Sequence, residues 1–284
     1  KKNISNTTDY KKFLSQNKMN IICCCTDTLT QENFINFFIR YKIKTDYLML
    51  EKPVSRKIYH LEKINRYCLK NKISLNVNFS YSNIRIFKIL KKNFFNKKDI
   101  ILNYQLYFMH NFFLKKNNNW KTYTKFGGGL CFYYLIHVFF VLNKIFKKIT
   151  LEKLNYSIDK KKFLKKIFII LKAVNNNFIK LNISLNSKKR IHKYKFIKKN
   201  RIIHNYVIEN WHGRSSFSIF DKKKNKLIKS QNFNQDIYSL TKLSYKNLFY
   251  KENLKKNDLF YKPILDAHKM CIHINKKIIN NDFK

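Results

Sequence analysis

The chain is 284 residues long, and 45% of them are hydrophobic and 16% aromatic, which excludes an intrinsically disordered sequence. Its 60 Lys+Arg against 16 Asp+Glu give a formal net charge of +44, while Gly (4) and Pro (2) are scarce. Lys, Asn, Ile, Phe and Tyr abound throughout, the pattern a strongly AT-biased coding sequence produces without any polyanionic partner. The length suffices for one large or two ordinary domains.

In chain order, Met19 to Cys25 is an apolar run of strand length. Thr30 to Ile43 follows with Phe34, Ile35, Phe37, Phe38 and Tyr41 at helical spacing. Thr45 to Leu50 is a second short strand. Ser55 to Lys70 sets Ile58, Leu61, Ile64 and Cys68 on one helical stripe, with Ser55 as its N-cap. Ile73 to Phe79 is a third strand. Alternating strands and helices predict a parallel sheet, ending near Ser80.

Beyond Ser82 the pattern changes. Ile84 to Phe95 reads as a helix, and Asp99 to Met109 as a strand exposed on one face. A polar loop from Lys115 leads into Gly127-Gly128-Gly129 and an apolar helix to about Phe146. Strands are predicted over Thr150–Tyr156, Lys166–Val174, Phe178–Leu185, Lys193–Lys198, Arg201–Glu209 and Ser215–Phe220. Turn signals at Asn175-Asn176-Asn177, Asn186-Ser187 and Lys199-Asn200 predict antiparallel hairpins between them. Two helices close the chain, over Ile237–Tyr250 and Pro263–Ile278. The predicted class is α/β followed by α+β, with residues 1–80 and 81–284 as two domains.

The lysines are dispersed, as at Lys88, Lys91, Lys92 and Lys222 to Lys224, with no Arg-rich arm or glycine-aromatic RNA signature. Nucleic acid is therefore not the expected partner. Leu130 to Ile145 falls short of the ~20 residues a membrane helix needs and contains His137 and Lys144, so no membrane segment is expected. Cys23, Cys24 and Cys25 are consecutive, Cys68, Cys131 and Cys271 are isolated, and no CxxC or Cys/His ligand spacing exists. The cysteines read as small buried hydrophobes in a reducing, cytoplasmic compartment, with no metal site. The chain starts at Lys1 without an apolar leader, as if inside a longer protein.

In so glycine-poor a chain, a glycine triplet meets a backbone need: positive φ, or an approach too close for a Cβ. Glu51-Lys52-Pro53 ends a predicted parallel strand, where ligands of open α/β sheets bind. Desolvation that lowers the Lys52 pKa from about 10.4 makes an amine there an acid or base, and Pro53 biases it toward an extended conformation. By composition alone, a surface lysine is the simpler reading. His137, on the greasy helix after Gly129, is a candidate proton carrier or a hydrogen-bonded core residue. Trp211-His212-Gly213-Arg214 reads as a turn, and Asp266-Ala267-His268 faces either the cleft or solvent.

Together, the strand-Glu51-Lys52-Pro53 unit, the Val77-Asn78-Phe79 strand, Trp120, and Gly127-Gly128-Gly129 with His137 recur in one order. They resemble the glucose-fructose oxidoreductase / inositol dehydrogenase / MocA family of NAD(P)-dependent oxidoreductases over roughly residues 10 to 284. The resemblance implies a partial Rossmann-type parallel sheet binding NAD or NADP, then a large, mostly antiparallel open-faced sheet with flanking helices. That open face implies a homo-oligomer, dimer or tetramer. Lys52 and His137 become the catalytic, proton-handling pair. Cys25, Thr26, Glu51, Lys52 and Pro53 become the cofactor contacts, and Tyr81, Trp120, Tyr133 and His137 the contacts to a sugar-like substrate.

Three departures stand out. No Gly-x-Gly-x-x-Gly loop exists, since no glycine precedes Gly127. Tyr133 stands where the family often has Asp, and Tyr81-Ser82 replaces its basic residue. The sequence thus predicts a sugar-directed oxidoreductase. A catalytically silent binding or scaffold relative is the second reading, and a basic RNA- or ribosome-associated protein the third.

Overall fold

The computed structural model describes residues 9–79, 83–95, 97–109, 129–146, 148–158, 164–198, 201–209, 214–234, 239–240, 242–243 and 257–282. After a short helix, α1 (Tyr10–Gln16), the chain runs β1 (Ile21–Cys24), α2 (Thr28–Arg40), β2 (Tyr47–Leu50), α3 (Ile58–Lys70) and β3 (Ser74–Val77). The strands pair in parallel in the order β1-β2-β3, with Cys24 beside Leu50 and Leu50 beside Val77. As the apolar spacing predicts, α2 buries Phe34, Ile35, Phe37 and Phe38, and α3 buries Leu61, Ile64 and Cys68. Full burial of such side chains stabilises by roughly 1.5–3 kcal/mol each.

Two expectations are corrected here. The second helix begins at Ile58, not Ser55, whose hydroxyl instead accepts the Lys57 N–H at 2.9 Å in the loop before it. The cysteine run obeys strand alternation: Cys24 is buried, but Cys23 and Cys25 are exposed, so only one of the three is a core residue.

Both long helices end in the same way, without glycine. Lys42 (φ 52°) and Lys72 (φ 54°) follow α2 and α3 in the left-handed region. The next N–H groups reach back, from Ile43 to the Phe38 carbonyl (3.0 Å) and from Ile73 to the Cys68 carbonyl (2.9 Å), closing a Schellman pattern. A Cβ in that conformation costs roughly 1–2 kcal/mol. Lys72→Gly is therefore expected to raise the unfolding free energy by about 1 kcal/mol, read as a higher urea midpoint at unchanged slope. A lower midpoint would contradict it.

The second layer opens with α4 (Arg85–Phe94) and β4 (Ile100–Met109). A π-helical turn (Leu130–Leu135) then runs into α5 (Ile136–Ile145). Seven strands follow: β5 (Ile149–Ile158), β6 (Leu164–Ala173), β7 (Asn177–Ser184), β8 (Asn186–Lys198), β9 (Ile202–Ile208), β10 (Ser215–Asp221) and β11 (Lys226–Phe233). A long helix, α6 (Asn257–Asp282), comes last and contains Pro263. The eight-stranded sheet has the order β11-β10-β9-β8-β4-β7-β6-β5 and is antiparallel except for β4 against β7. The α/β plus α+β class is thus the observed one.

Strand alternation places Leu102, Tyr104, Leu106, Tyr194, Phe196 and Tyr206 on the buried face of this sheet. Helix α4 packs there through Phe94 stacked on Phe196 (4.1 Å) and Phe87 edge-on to Tyr194 (5.5 Å). Phe79, just past β3, stacks on Phe140 of α5 at 4.1 Å. That contact joins the parallel layer to the helices of the second, and one continuous apolar core runs through both.

Asn186-Ser187 is not a hairpin turn. β7 and β8 do not pair, because β4 lies between them, parallel to one and antiparallel to the other. Strand β11 was not predicted, and its solvent-facing run has no apolar alternation. The helix predicted over Ile237–Tyr250 lies largely outside the described residues.

Candidate active site

The carboxyl ends of the three parallel strands meet the first turns after Gly129. Gly129 has φ 70° and ψ −179°, a region open essentially only to glycine, which is the backbone need that this part of the triplet meets. The turn it starts is π-helical, a widened geometry frequent at functional sites.

Glu51, Lys52 and Pro53 follow β2, and the Lys52–Pro53 peptide is cis. The Lys52 amine donates to the Tyr133 carbonyl at 3.1 Å and lies 4.1 Å from the Tyr133 ring centre. Both contacts favour an ammonium. The loop from Glu51 to Lys57 is held by two neighbouring residues of α2. Gln31 accepts the Glu51 N–H (2.8 Å) and donates to the carbonyls of Glu51 (2.9 Å), Pro53 (3.2 Å) and Val54 (3.0 Å). Glu32 accepts the Arg56 N–H and guanidinium and the Ser55 hydroxyl. Its carboxyl is held below the ordinary value against an opposing burial effect, chiefly by the Arg56 side chain. The Glu51 carboxylate accepts from the Asn78 amide at 2.7 Å, tying the ends of β2 and β3.

His137 stands on the first turn of α5, its ring edge-on to Phe79 at 5.7 Å. The residue keeps some exposure, yet its Nδ1 is out of solvent. Burial first, then the positive charge of Lys52, then His192, press its pKa well below 6.5, so the imidazole is neutral near pH 7. Lys52 and His137 therefore lie within electrostatic reach of each other although one follows β2 and the other lies on α5. At the end of β1, the Thr26 hydroxyl lies 3.4 Å from Cys24 Sγ. Burial and then the nearby Glu51 carboxylate raise the pKa of Cys25. Cys25, Thr26, Glu51, Lys52 and Pro53 thus gather at one edge, with Tyr133 and His137 opposite. Tyr81 and Trp120 lie outside the described residues, as does most of Trp211-His212-Gly213-Arg214.

Two further histidines belong to this neighbourhood. His192 of β8 is buried, 3.2 Å from the Tyr104 hydroxyl, and burial followed by the charge of Arg190 takes its pKa down to about 3. The strand predicted from Lys193 starts one residue too late to include it. His268 of α6 faces neither solvent nor an open cleft. Its Nδ1–H donates to the Ile264 carbonyl (2.9 Å), and its Nε2 accepts the Val54 N–H (3.0 Å). A cavity of about 520 Å³ lies elsewhere, between Asn143, Lys148, Thr150, Asp266 and His273.

No protein-family model matches the chain, and no curated protein matches its sequence. Solved structures do match. A 3-ketoreductase from Actinomadura kijaniata, in complex with NADP and TDP-benzene, superposes with a TM-score of 0.72 at 9% identity, covering 95% of this chain and 82% of that one. The fold is that of this oxidoreductase. The dehydrogenase MviM from Clostridium difficile matches at 0.68 with 13% identity, covering 96% and 82% of the two chains. An aldose-aldose oxidoreductase from Caulobacter crescentus complexed with glycerol matches at 0.71 with 11% identity, covering 96% and 81%. The resemblance read from the sequence is thereby met at the level of fold. No described helix is long and apolar enough to cross a membrane.

Proposed function

We propose that the chain is an NAD(P)-dependent oxidoreductase interconverting a hydroxyl and a carbonyl on a sugar or sugar derivative. The observation that carries this reading is the placement of the Lys52 amine near enough to the His137 imidazole for its charge to oppose protonation of the ring, at the carboxyl ends of a parallel sheet. Residues 1–80 then form the cofactor side and residues 81–284 the substrate side.

The described residues fit one end of the cofactor. Cys25, Thr26, Glu51, Lys52, Pro53 and Asn78 lie at the ends of β1, β2 and β3 and offer polar groups that would hold a nicotinamide. For the pyrophosphate they offer less. The N-terminus of α2 is already capped by Asp27, which accepts the Leu29 and Thr30 N–H groups at 3.0 and 3.1 Å. When bound, a nicotinamide supplies or accepts the hydride.

The proton work falls to the chain. Lys52, held by the Tyr133 carbonyl and ring, polarises the substrate oxygen. Neutral His137 takes the hydroxyl proton in the oxidative direction and returns it in the reductive one. Tyr133, with no carboxylate to offer, contacts a sugar hydroxyl.

The absence of a Gly-x-Gly-x-x-Gly loop and Tyr133 in the place of a carboxylate support a second reading, a fold-retaining binding protein without turnover. Fluorescence titration of the full-length protein with NADPH and NADH separates the two. Saturable binding of either nucleotide, with reduction or oxidation of a sugar substrate, is the expected result. No binding at about 1 mM of either, some 4 kcal/mol or less of affinity, overturns the enzymatic reading.

A further inference from the structure

Lys52 sits on a loop whose backbone is held by side chains from two distant helices. Gln31 and His268 are 0% and 1% exposed, and Val54 between them is 0% exposed. Gln31 engages the Glu51 N–H and the carbonyls of Glu51, Pro53 and Val54, and His268 takes the Val54 N–H. Five backbone groups around the Lys52–Pro53 peptide are thus held by two side chains. The Nδ1–H bond to Ile264 fixes the His268 tautomer that presents Nε2 as an acceptor. We infer that Gln31 and His268 are positioning residues: they clamp the Glu51–Val54 loop so that the Lys52 amine stays against Tyr133 in the crevice with His137. The inference rests on the reading of Lys52 as the working amine.

The physical basis is the intolerance of catalysis to misplacement, where a shift of about 1 Å costs on the order of 100-fold in rate. The clamp ties the site to α6. It makes the last helix part of the proton-handling apparatus. A purely structural pair of buried hydrogen bonds would lower stability on removal but leave the amine of the folded protein where it is.

The test is peptide-resolved acylation of lysines by mass spectrometry on the full-length protein, without nucleotide or substrate. It compares the native chain with His268→Met, whose thioether is only a weak acceptor for the Val54 N–H, and His268→Gln, which restores a strong one. Gln31→Met, read in the same way, tests the other half and stands in should His268→Met not fold. The expected result is a several-fold rise in Lys52 acylation in the Met variants, native reactivity in His268→Gln, and unchanged reactivity at Lys88 and Lys222. In turnover, kcat falls about 10- to 100-fold with KM for the nucleotide little changed. Native Lys52 reactivity in a folded Met variant overturns the inference. The footprint needs no activity. If Lys52 reactivity shifts but Lys52→Ala leaves turnover untouched, the clamp stands and the enzymatic reading falls instead.

Discussion

Lys52→Met and His137→Asn are each expected to lower kcat by about 10²- to 10⁴-fold in the full-length protein, with far-UV circular dichroism unchanged. On the proposed mechanism the two side chains divide the work by charge. Lys52 is bonded to the Tyr133 carbonyl and lies over its ring, which fixes where its positive charge sits. His137 is pressed toward its neutral form by burial and by that same Lys52 charge. A cation beside the substrate oxygen and a neutral base beside its proton are what alcohol oxidation requires, and reduction uses the pair in reverse. Lys52→Arg sharpens the assignment. It keeps the charge but brings a planar, bulkier group that does not release a proton. If Lys52 acts only by polarisation, the Arg variant retains part of the rate. If it also exchanges a proton, the variant is as slow as Lys52→Met. The double variant is expected to lose little more than the worse single one, because on that mechanism the two groups act on one oxygen. Unchanged turnover in both single variants removes the mechanism.

How much of this was legible in the sequence depends on the range of the interaction. The strands and helices of the first layer follow from local periodicity, and β1 to β3 pair as the alternation of elements requires. Asp99 to Met109 also showed its one-sided pattern. What it could not show is that this strand inserts between β7 and β8. A turn-like Asn186-Ser187 carries no record of a third strand, so the hairpin was the local answer and the tertiary one differed. The cysteine triplet was read by composition, whereas the strand period exposes two of its members. β11 has too little apolar content to alternate at all.

For the site, Gly129 was legible because glycine is so rare here that its placement carries information. Lys52 stood out only through the resemblance, since a chain this rich in lysine hides any particular one. His192 was missed by one residue of strand boundary. Gln31 left no local signal, and His268 suggested only a cleft or solvent position, because their partners are backbone groups of a loop far away in the chain. The Lys72 αL position was equally invisible, glycine being the usual sign of it.

Acidification from pH 7.5 to pH 5 is expected to lower the unfolding free energy by about 4 kcal/mol, well before the carboxylates titrate. Two buried histidines alone supply that much. Burial lowers His268 to about 4 and His192 to about 3, against about 6.5 in the unfolded chain. Above pH 6.5 both states hold these rings neutral, and the stability is fully present. Below it the unfolded chain takes up protons that the folded chain refuses, so stability falls with pH until the folded values are reached. Each ring contributes about 1.4 kcal/mol per pH unit in that window, or about 2 kcal/mol by pH 5. His137, His60 and His204 are also shifted downward, so they add in the same sense. Glu32, held low chiefly by Arg56, adds its own loss only at more acid pH. Against the 5–15 kcal/mol of an ordinary domain, a loss of this size shifts the urea midpoint visibly. Urea unfolding at half-unit steps of pH measures it, and His268→Gln is expected to remove one proton from the slope. A midpoint constant from pH 7 to pH 5 would mean that these rings are protonated in the folded chain. A protonated His268 cannot accept the Val54 N–H, so the same result would dissolve the bond that links α6 to the Lys52 loop.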